Sequence, residues 1–421
     1  MRDALEFEWM GKPSVVVVAD ALTGPADAML RLCGMPHYPY IVTPFPVGNL
    51  NGDEIEARAD TMITDVVRLL FDRATAGPAS ETGAADDQLV YDDAFEAIDD
   101  YTVRGWTDGL PIVPPTRERV DALLRTTTRP AHEVVVELTT RDGLDATVEQ
   151  IAINAAMAGC RPAHFPLVLA TVDAMADPRY NLHAHTATMA GAQQLVIVNG
   201  PIRHRLALQT GNGALGPGWP ANNSIGRAVR LVIRNMLRSV HGEFDRAGFS
   251  HPGRFGWCIA EDDENSRWPV LAEQGPSPVP GDATSVYATV WQSSIINHDR
   301  RARAIVDELA LTVRTACHAN WLHHDAAADS SFYEGRPFLF VTGREHARVL
   351  SRDGFADFAD LQAALYDGLT RPDTALRPVA IAGPAQVHFV YVHATGMQQT
   401  WFFAPFQSHN MVTRPVPPEF G

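Results

Sequence analysis

Residues 11–19 read Gly11-Lys-Pro-Ser-Val-Val-Val-Val-Ala19, a β-branched run behind a Gly/Pro break, and this pattern suits a buried parallel strand. Working outward, Pro25 to Leu32 has helical spacing and Gly34 can stop it. Tyr40-Ile-Val-Thr43 reads as a second strand, ended by Pro44-Phe-Pro-Val-Gly48. From Asp53 to Leu70, the apolar residues Ile55, Ala59, Met62, Ile63, Val66, Val67 and Leu70 recur at helical spacing. The order β-α-β-α makes an incomplete parallel α/β half-domain over residues 1–73. Two strands form a thin sheet, and such a sheet needs further strands from elsewhere.

Residues 74–88 are rich in Ala, Gly, Ser, Thr and Asp without periodicity and read as a linker. Residues 89–421 then read as one large mixed α/β domain. Its entry, Trp106-Thr-Asp-Gly-Leu-Pro-Ile-Val-Pro-Pro115, cannot be helical. Strands are expected at Glu133 to Leu138, Leu195 to Val198, Ser285 to Trp291, Phe338 to Val341 and Val387 to His393. Thr147-Val-Glu-Gln150 has the capping-box pattern and opens a helix that runs to Gly159. Further helices are expected at Phe165 to Ala176 and Arg300 to Ala319. No internal repeat is visible in the residues.

The chain has 421 residues, with 34 basic against 50 acidic side chains and a formal net charge of −16. Lys12 is the only lysine. It sits in neither a Schiff-base nor a Gly-Lys-Ser/Thr context, which excludes pyridoxal-phosphate and P-loop nucleotide chemistry. The acidic balance argues against nucleic-acid wrapping, while local arginines leave anionic small molecules open. No apolar window of transmembrane length occurs, and the N-terminus lacks a signal pattern. Cys33, Cys160, Cys258 and Cys317 form no paired motif. A cytoplasmic protein with no membrane partner is the expectation.

The N-terminal residues carry a resemblance. Asp3-Ala-Leu-Glu-Phe-Glu, Gly11-Lys-Pro-Ser-Val-Val-Val-Val, Gly34-Met-Pro, Pro44-Phe-Pro-Val-Gly48 and the acidic helix after them resemble the second half of UGSC-type (seleno)protein domains. More distantly they are similar to the selenocysteine-bearing component B of glycine-type reductases, with Phe45 where that family has a histidine. In those families a redox Cys or Sec, in a U/C-G-S/T-C run, lies upstream of the matching segment, and the resemblance here covers only residues 3 to 70. It implies either that a separate polypeptide carries the CGSC/UGSC half and docks here, or that the half-domain has a holding role only. Trp106-Thr-Asp-Gly-Leu-Pro, Ala158-Gly-Cys-Arg-Pro and Gly213 to Arg227 resemble segments of uncharacterised bacterial proteins that carry the same domain.

The densest candidate region is Thr210-Gly-Asn-Gly-Ala-Leu-Gly-Pro-Gly-Trp-Pro-Ala-Asn-Asn-Ser-Ile-Gly-Arg227. Gly211, Gly213 and Gly216 form a literal GxGxxG, but Pro217 and Pro220 keep a helix from starting inside it, which argues against NAD. A helix capped by Asn223 or Ser224 is expected instead. Its N-terminus, with Gly213, Gly216, Asn222, Asn223, Ser224 and Arg227, could hold a carboxylate or phosphate, although the glycines could equally serve a tight packed loop. On the same helix Arg230, Arg234 and Arg238 are expected to meet surface carboxylates. Cys160, between two helices and beside Arg161, is a candidate nucleophile, and a small buried hydrophobe is the alternative. His183 and His185, on one face if extended, are candidate acid–base groups, and a structural pair is the alternative. His323-His324-Asp325 is a second cluster. Neither has an HExxH pattern or a defined third ligand, so no metal site is assigned. Asp108 could be a pocket carboxylate or a turn residue.

The reading that follows is a subunit of a thiol-dependent enzyme acting on an anionic small molecule. The reaction is redox chemistry or the making or breaking of a carbon–heteroatom bond, with a Cys/Sec-bearing partner and no cofactor identified. A lyase using histidine acid–base catalysis in the large domain alone, and a non-catalytic scaffold, stand as alternatives.

Overall fold

The computed structural model describes residues 1–47, 50–71, 89–136, 146–242, 244–319, 336–372, 375–376, 378–406 and 411–418. The linker expected at 74–88, the His323-His324-Asp325 cluster, and the ends of two expected segments, Gly48 and Leu138, lie outside the described residues.

The first segment runs α1 (Arg2–Trp9), β1 (Val17–Ala19), α2 (Thr23–Leu32), β2 (Ile41–Thr43) and α3 (Gly52–Phe71). β1 and β2 pair in parallel and form a two-stranded sheet by themselves, as the β-α-β-α pattern implies. Leu5, Leu30, Cys33 and Tyr38 make a small core that leans on Phe244 of the larger body.

The chain continues with α4 (Ala94–Val103), α5 (Arg117–Leu124), β3 (Val134–Val136), β4 (Ala146–Thr147), α6 (Val148–Met157), α7 (Phe165–Ala176) and α8 (Leu182–Ala187). Then come β5 (Gln193–Asn199), α9 (Ile202–Arg205), α10 (Pro220–Met236), β6 (Trp257–Ala260) and β7 (Ala283–Ile296). The last part is α11 (Ala302–Ala319), β8 (Phe338–Thr342), α12 (Arg344–Arg352), α13 (Phe358–Thr370), β9 (Val387–Tyr391), β10 (Gln399–Pro405) and β11 (Val412–Pro415). The capping box at the head of α6 is formed, with Thr147 and Gln150 bonding reciprocally.

The main sheet has the order β6-β5-β7-β10-β8-β9, with β11 alongside β7. β5 and β6 are parallel and joined through α10, and β7 returns antiparallel beside β5. β8 and β9 are likewise parallel, joined through α12 and α13, and β10 returns antiparallel beside β8. β7 and β10 pair antiparallel in the middle. The two halves of the main sheet therefore share one β-α-β-β topology, β6-β5-β7 and β9-β8-β10, and meet at β7 and β10. The residue pattern itself shows no repeat, as expected from the sequence.

Side chains alternate across the strands. Val196, Val198, Cys258, Ala260 and Val286 face α6, α7 and α10, while Phe338, Phe340, Phe389 and Phe402 face α11 to α13. The intervening residues Leu195, Ile197, Ile259, Tyr287, Leu339, Val341, Val390 and Phe403 form one shared cluster on the opposite face. A bulge where β7 meets Ala404 and Pro405 adds bend. The sheet curls until its edges meet: the Asp262 N–H donates to the Tyr391 carbonyl at 2.9 Å, and the Tyr391 N–H donates to Glu261 Oε1 at 3.1 Å. The all-helix face is thus outside and the shared cluster inside. No helix among the described residues is long and apolar enough to cross a membrane.

Candidate functional site

The seam where β6 meets β9 gathers the polar chemistry of the large domain. Past β6 the chain gives Glu261 and Asp262, and past β9 it gives Val392 and His393. His393 Nδ1 lies 3.1 Å from Asp262 Oδ2, with only 4% of the Asp262 side chain exposed. Asp262 also accepts from Arg203 Nη2 at 3.1 Å and from Asn265 Nδ2. The His393 N–H donates to the Thr210 carbonyl at 2.7 Å. Asp262 therefore fixes the imidazole from behind, as a carboxylate does in a His–Asp pair. Glu261, deeper in, accepts from Leu271 N, Asn199 Nδ2 and Tyr391 N, which ties the closing edge together. Burial pushes its carboxyl up to about 8, against the pull of those donors.

Outside the seam, between the 262–267 segment and α12, lies a cavity of about 480 Å³ bordered by Glu264, Arg267, Arg344, Arg348, Tyr391 and His393. Arg344 opens α12, whose N-cap, Gly343, has no capping side chain. Burial raises the Tyr391 phenol and Asp262 adds to this, while Arg344 and Arg267 pull it back. Glu264 is held by Arg203 and His204. Among the described residues no carboxylate pairs with Arg267, Arg344 or Arg348.

The residues singled out in the sequence lie elsewhere. The helix after the glycine-rich loop begins at Pro220 with Trp219 as N-cap, not at Asn223 or Ser224. Proline's fixed φ and missing N–H suit the first helical position. Asn222 is buried and clamps the loop through Gln209 and the Cys258 carbonyl. Arg227 makes two bonds of 2.8 Å to Asp108 and two more to the carbonyls of Pro111 and Leu110. With its guanidinium so engaged, the expected anion site at this helix start lacks its cation. Asn223 is exposed and Ser224 half-buried. The loop instead packs onto the seam, with Asn212 Oδ1 accepting from Thr395 N and the Leu215 carbonyl accepting from Trp257 Nε1. Gly213, at φ +78, makes the turn. Gly213 and Gly216 border a second cavity of about 250 Å³ with Val341, Val392 and Trp401.

Cys160 donates to the Ser224 carbonyl at 3.4 Å, and burial pushes its thiol far above the usual range. Desolvation outweighs the helix start and Arg161 that were expected to favour thiolate. It borders a cavity of about 320 Å³ that neither His183 nor His185 reaches. Those two histidines lie in α8, so residues two apart point to different sides. His183 is exposed against the Phe244 ring, and His185 is buried with Nδ1 3.2 Å from Gln194 Nε2. The shared face expected for an extended strand is corrected. So is the surface role of Arg230, which is buried and paired with Asp245.

Residues 1–72 match the UGSC family. No curated protein matches the chain. The UGSC unit covers the first of the two bodies and leaves the curled sheet and its seam outside the match. Within it, α3 has no buried residue. Ile55, Ile63, Val67 and Phe71 are 50%, 56%, 48% and 80% exposed. Arg58 holds α3 to the rest of the unit through the Pro44 carbonyl at 2.6 Å, so the helix is placed while its apolar stripe stays open. Cys33, the unit's own thiol, is buried against Met29, 3.7 Å away. Burial pushes Cys258 and Cys317 up to about 12.

Sequence reasoning missed His393, Asp262 and the three arginines. The one available signal was the polar run Glu261-Asp-Asp-Glu264 directly after an apolar strand, matched by Tyr391-Val-His393 after another.

Proposed function

We propose that this chain is the substrate-binding component of a two-part, thiol-dependent enzyme acting on an anionic small molecule. Residues 1–73 form the docking unit, 74–88 the linker and 89–421 the substrate domain. The partner carries the Cys or Sec half related to the UGSC match and supplies the nucleophile, for redox chemistry or the making or breaking of a carbon–heteroatom bond. The observation that carries this reading is the open apolar stripe of α3 on a sheet that has two strands among the described residues. Exposed apolar patches of this kind mark association surfaces. α3 bears Asp53, Glu54, Glu56, Asp60 and Asp65 against Arg58 and Arg68, so the partner's face is apolar with a basic rim. The burial of all but one of the chain's own thiols, and the raised pKa of that one, Cys160, agree with an external nucleophile.

A second reading, a lyase working by histidine acid–base catalysis in the large domain alone, is favoured by His393 standing on Asp262 beside three arginines. The two readings separate on co-expression with a protein that carries the CGSC or UGSC half, sought first in the product of the adjacent gene. Under the first, the two proteins co-purify at fixed stoichiometry, and Ile63→Asp with Val67→Asp abolishes both co-purification and activity while melting stays unchanged. A chain that ignores that protein and turns over substrate in thiol-free buffer supports the lyase instead.

A further inference from the structure

We infer that the seam cavity is a binding site for a small molecule carrying at least two anionic groups, carboxylate or phosphate, held by Arg267, Arg344 and Arg348 with His393 as its fourth polar contact. This extends the reading of the chain as a substrate-binding component, by naming where and what it binds.

Charge distribution carries the argument. The chain has 50 acidic against 34 basic side chains, and several of its exposed arginines, Arg68, Arg117, Arg179 and Arg301 among them, have a carboxylate within ion-pair distance. Arg119 and Arg161 border another cavity and likewise have no carboxylate among the described residues, but the seam cavity gathers three such guanidiniums, and that concentration in so acidic a chain points to an anion. The one acid on the wall, Glu264, is already shared between Arg203 and His204, so it does not neutralise the trio. Arginine's planar fork suits carboxylate and phosphate oxygens. The cavity, about 480 Å³, is the size of a metabolite and small for a protein segment. The start of α12 adds the positive end of its helix dipole on the Arg344 side, although the Arg344 N–H itself is taken by the Ala394 carbonyl at 3.0 Å. His393 belongs to the site because its Nδ1 is engaged by a buried carboxylate, which leaves the other ring nitrogen for a hydroxyl or carboxyl group on the same molecule. Asp262 and Arg203 are positioning residues: they hold the imidazole and have no need to touch the ligand.

The test is calorimetric titration of the full chain with citrate, pyrophosphate and acetate, each against potassium chloride at equal ionic strength. Citrate or pyrophosphate is expected to bind one to one and acetate not to bind. The stronger of the first two tells carboxylate from phosphate recognition. Arg344→Gln with Arg348→Gln should weaken that binding by about tenfold or more without lowering the ligand-free melting temperature, because both side chains are exposed. Glu264→Gln should tighten it. Equal heats from all salts, or a double variant that binds like the parent, overturns the site. The partner plays no part in this experiment, so its outcome and that of the co-purification are independent.

Discussion

Arg227 fastens the proline-rich 106–115 segment to α10 through one side chain, with two bonds to the Asp108 carboxylate and two to the carbonyls of Leu110 and Pro111. Both partners are largely buried. Removing one charge strands the other in low dielectric, where the loss exceeds the net worth of the pair. Asp108→Asn is expected to cost about 2 kcal/mol of unfolding free energy, read from urea denaturation, whereas an unchanged midpoint would mean the pair is neutral. Arg227→Lys should cost nearly as much, since an ammonium cannot reproduce the fork. Each charged residue was legible in the sequence as a residue able to bind something; the identity of the partner was not. Arg227 and Asp108 lie far apart in the chain, and so do Asp262 and His393. A pair of that kind is created by closure of the fold, and spacing along the chain carries no trace of it.

Between elements, α10 comes close to the start of β6. A Cβ at Gly226 would lie 2.7 Å from Trp257 N and 2.9 Å from the Gly256 carbonyl carbon. Gly256 itself sits at φ +130 with its missing Cβ aimed at the backbone of Gly226 and Arg227. The helix therefore rests backbone to backbone on the strand entry. Gly226→Ala forces the two apart and should lower stability by about 1–3 kcal/mol, seen as a lower melting temperature with citrate binding retained. Loss of citrate binding at unchanged stability would instead give this glycine a ligand role. The glycine-rich stretch was thus legible as a place where backbone comes close to something, and the neighbour is the protein's own strand. α3, α7, α11 and β8 lie within two residues of the bounds their sequence implies. α8 has no such bounds, because six residues hold too little of a period to tell helix from strand.

At the scale of the whole molecule, Asp262 lies two residues past the end of β6 and His393 two residues past the end of β9. Corresponding positions of the two sheet halves thus meet at the closing edge, and the polar site is a product of that closure. The same closure buries titratable groups, which makes stability depend on acid. His388 faces inward beside Leu339, its Nδ1 without a partner, and burial holds it down to about 4. His164 is held down to about 4 by burial and then by Arg161. In the unfolded chain both titrate near 6.5. Between about pH 6.5 and pH 4 the unfolded state binds protons that the fold refuses, so stability is full above that window and is lost as pH falls through it. The slope approaches about 1.4 kcal/mol per pH unit for each histidine. Glu261, raised to about 8, acts in the opposite direction over part of the same window, so the informative quantity is a difference. His388→Leu keeps Glu261 and His164 in place and removes one proton. Its unfolding free energy should fall less steeply than the parent's from pH 6.5 to pH 4.5, by close to the one-histidine slope. Parallel curves would show that His388 is charged inside the fold, and the inward-facing histidine would then need a partner there.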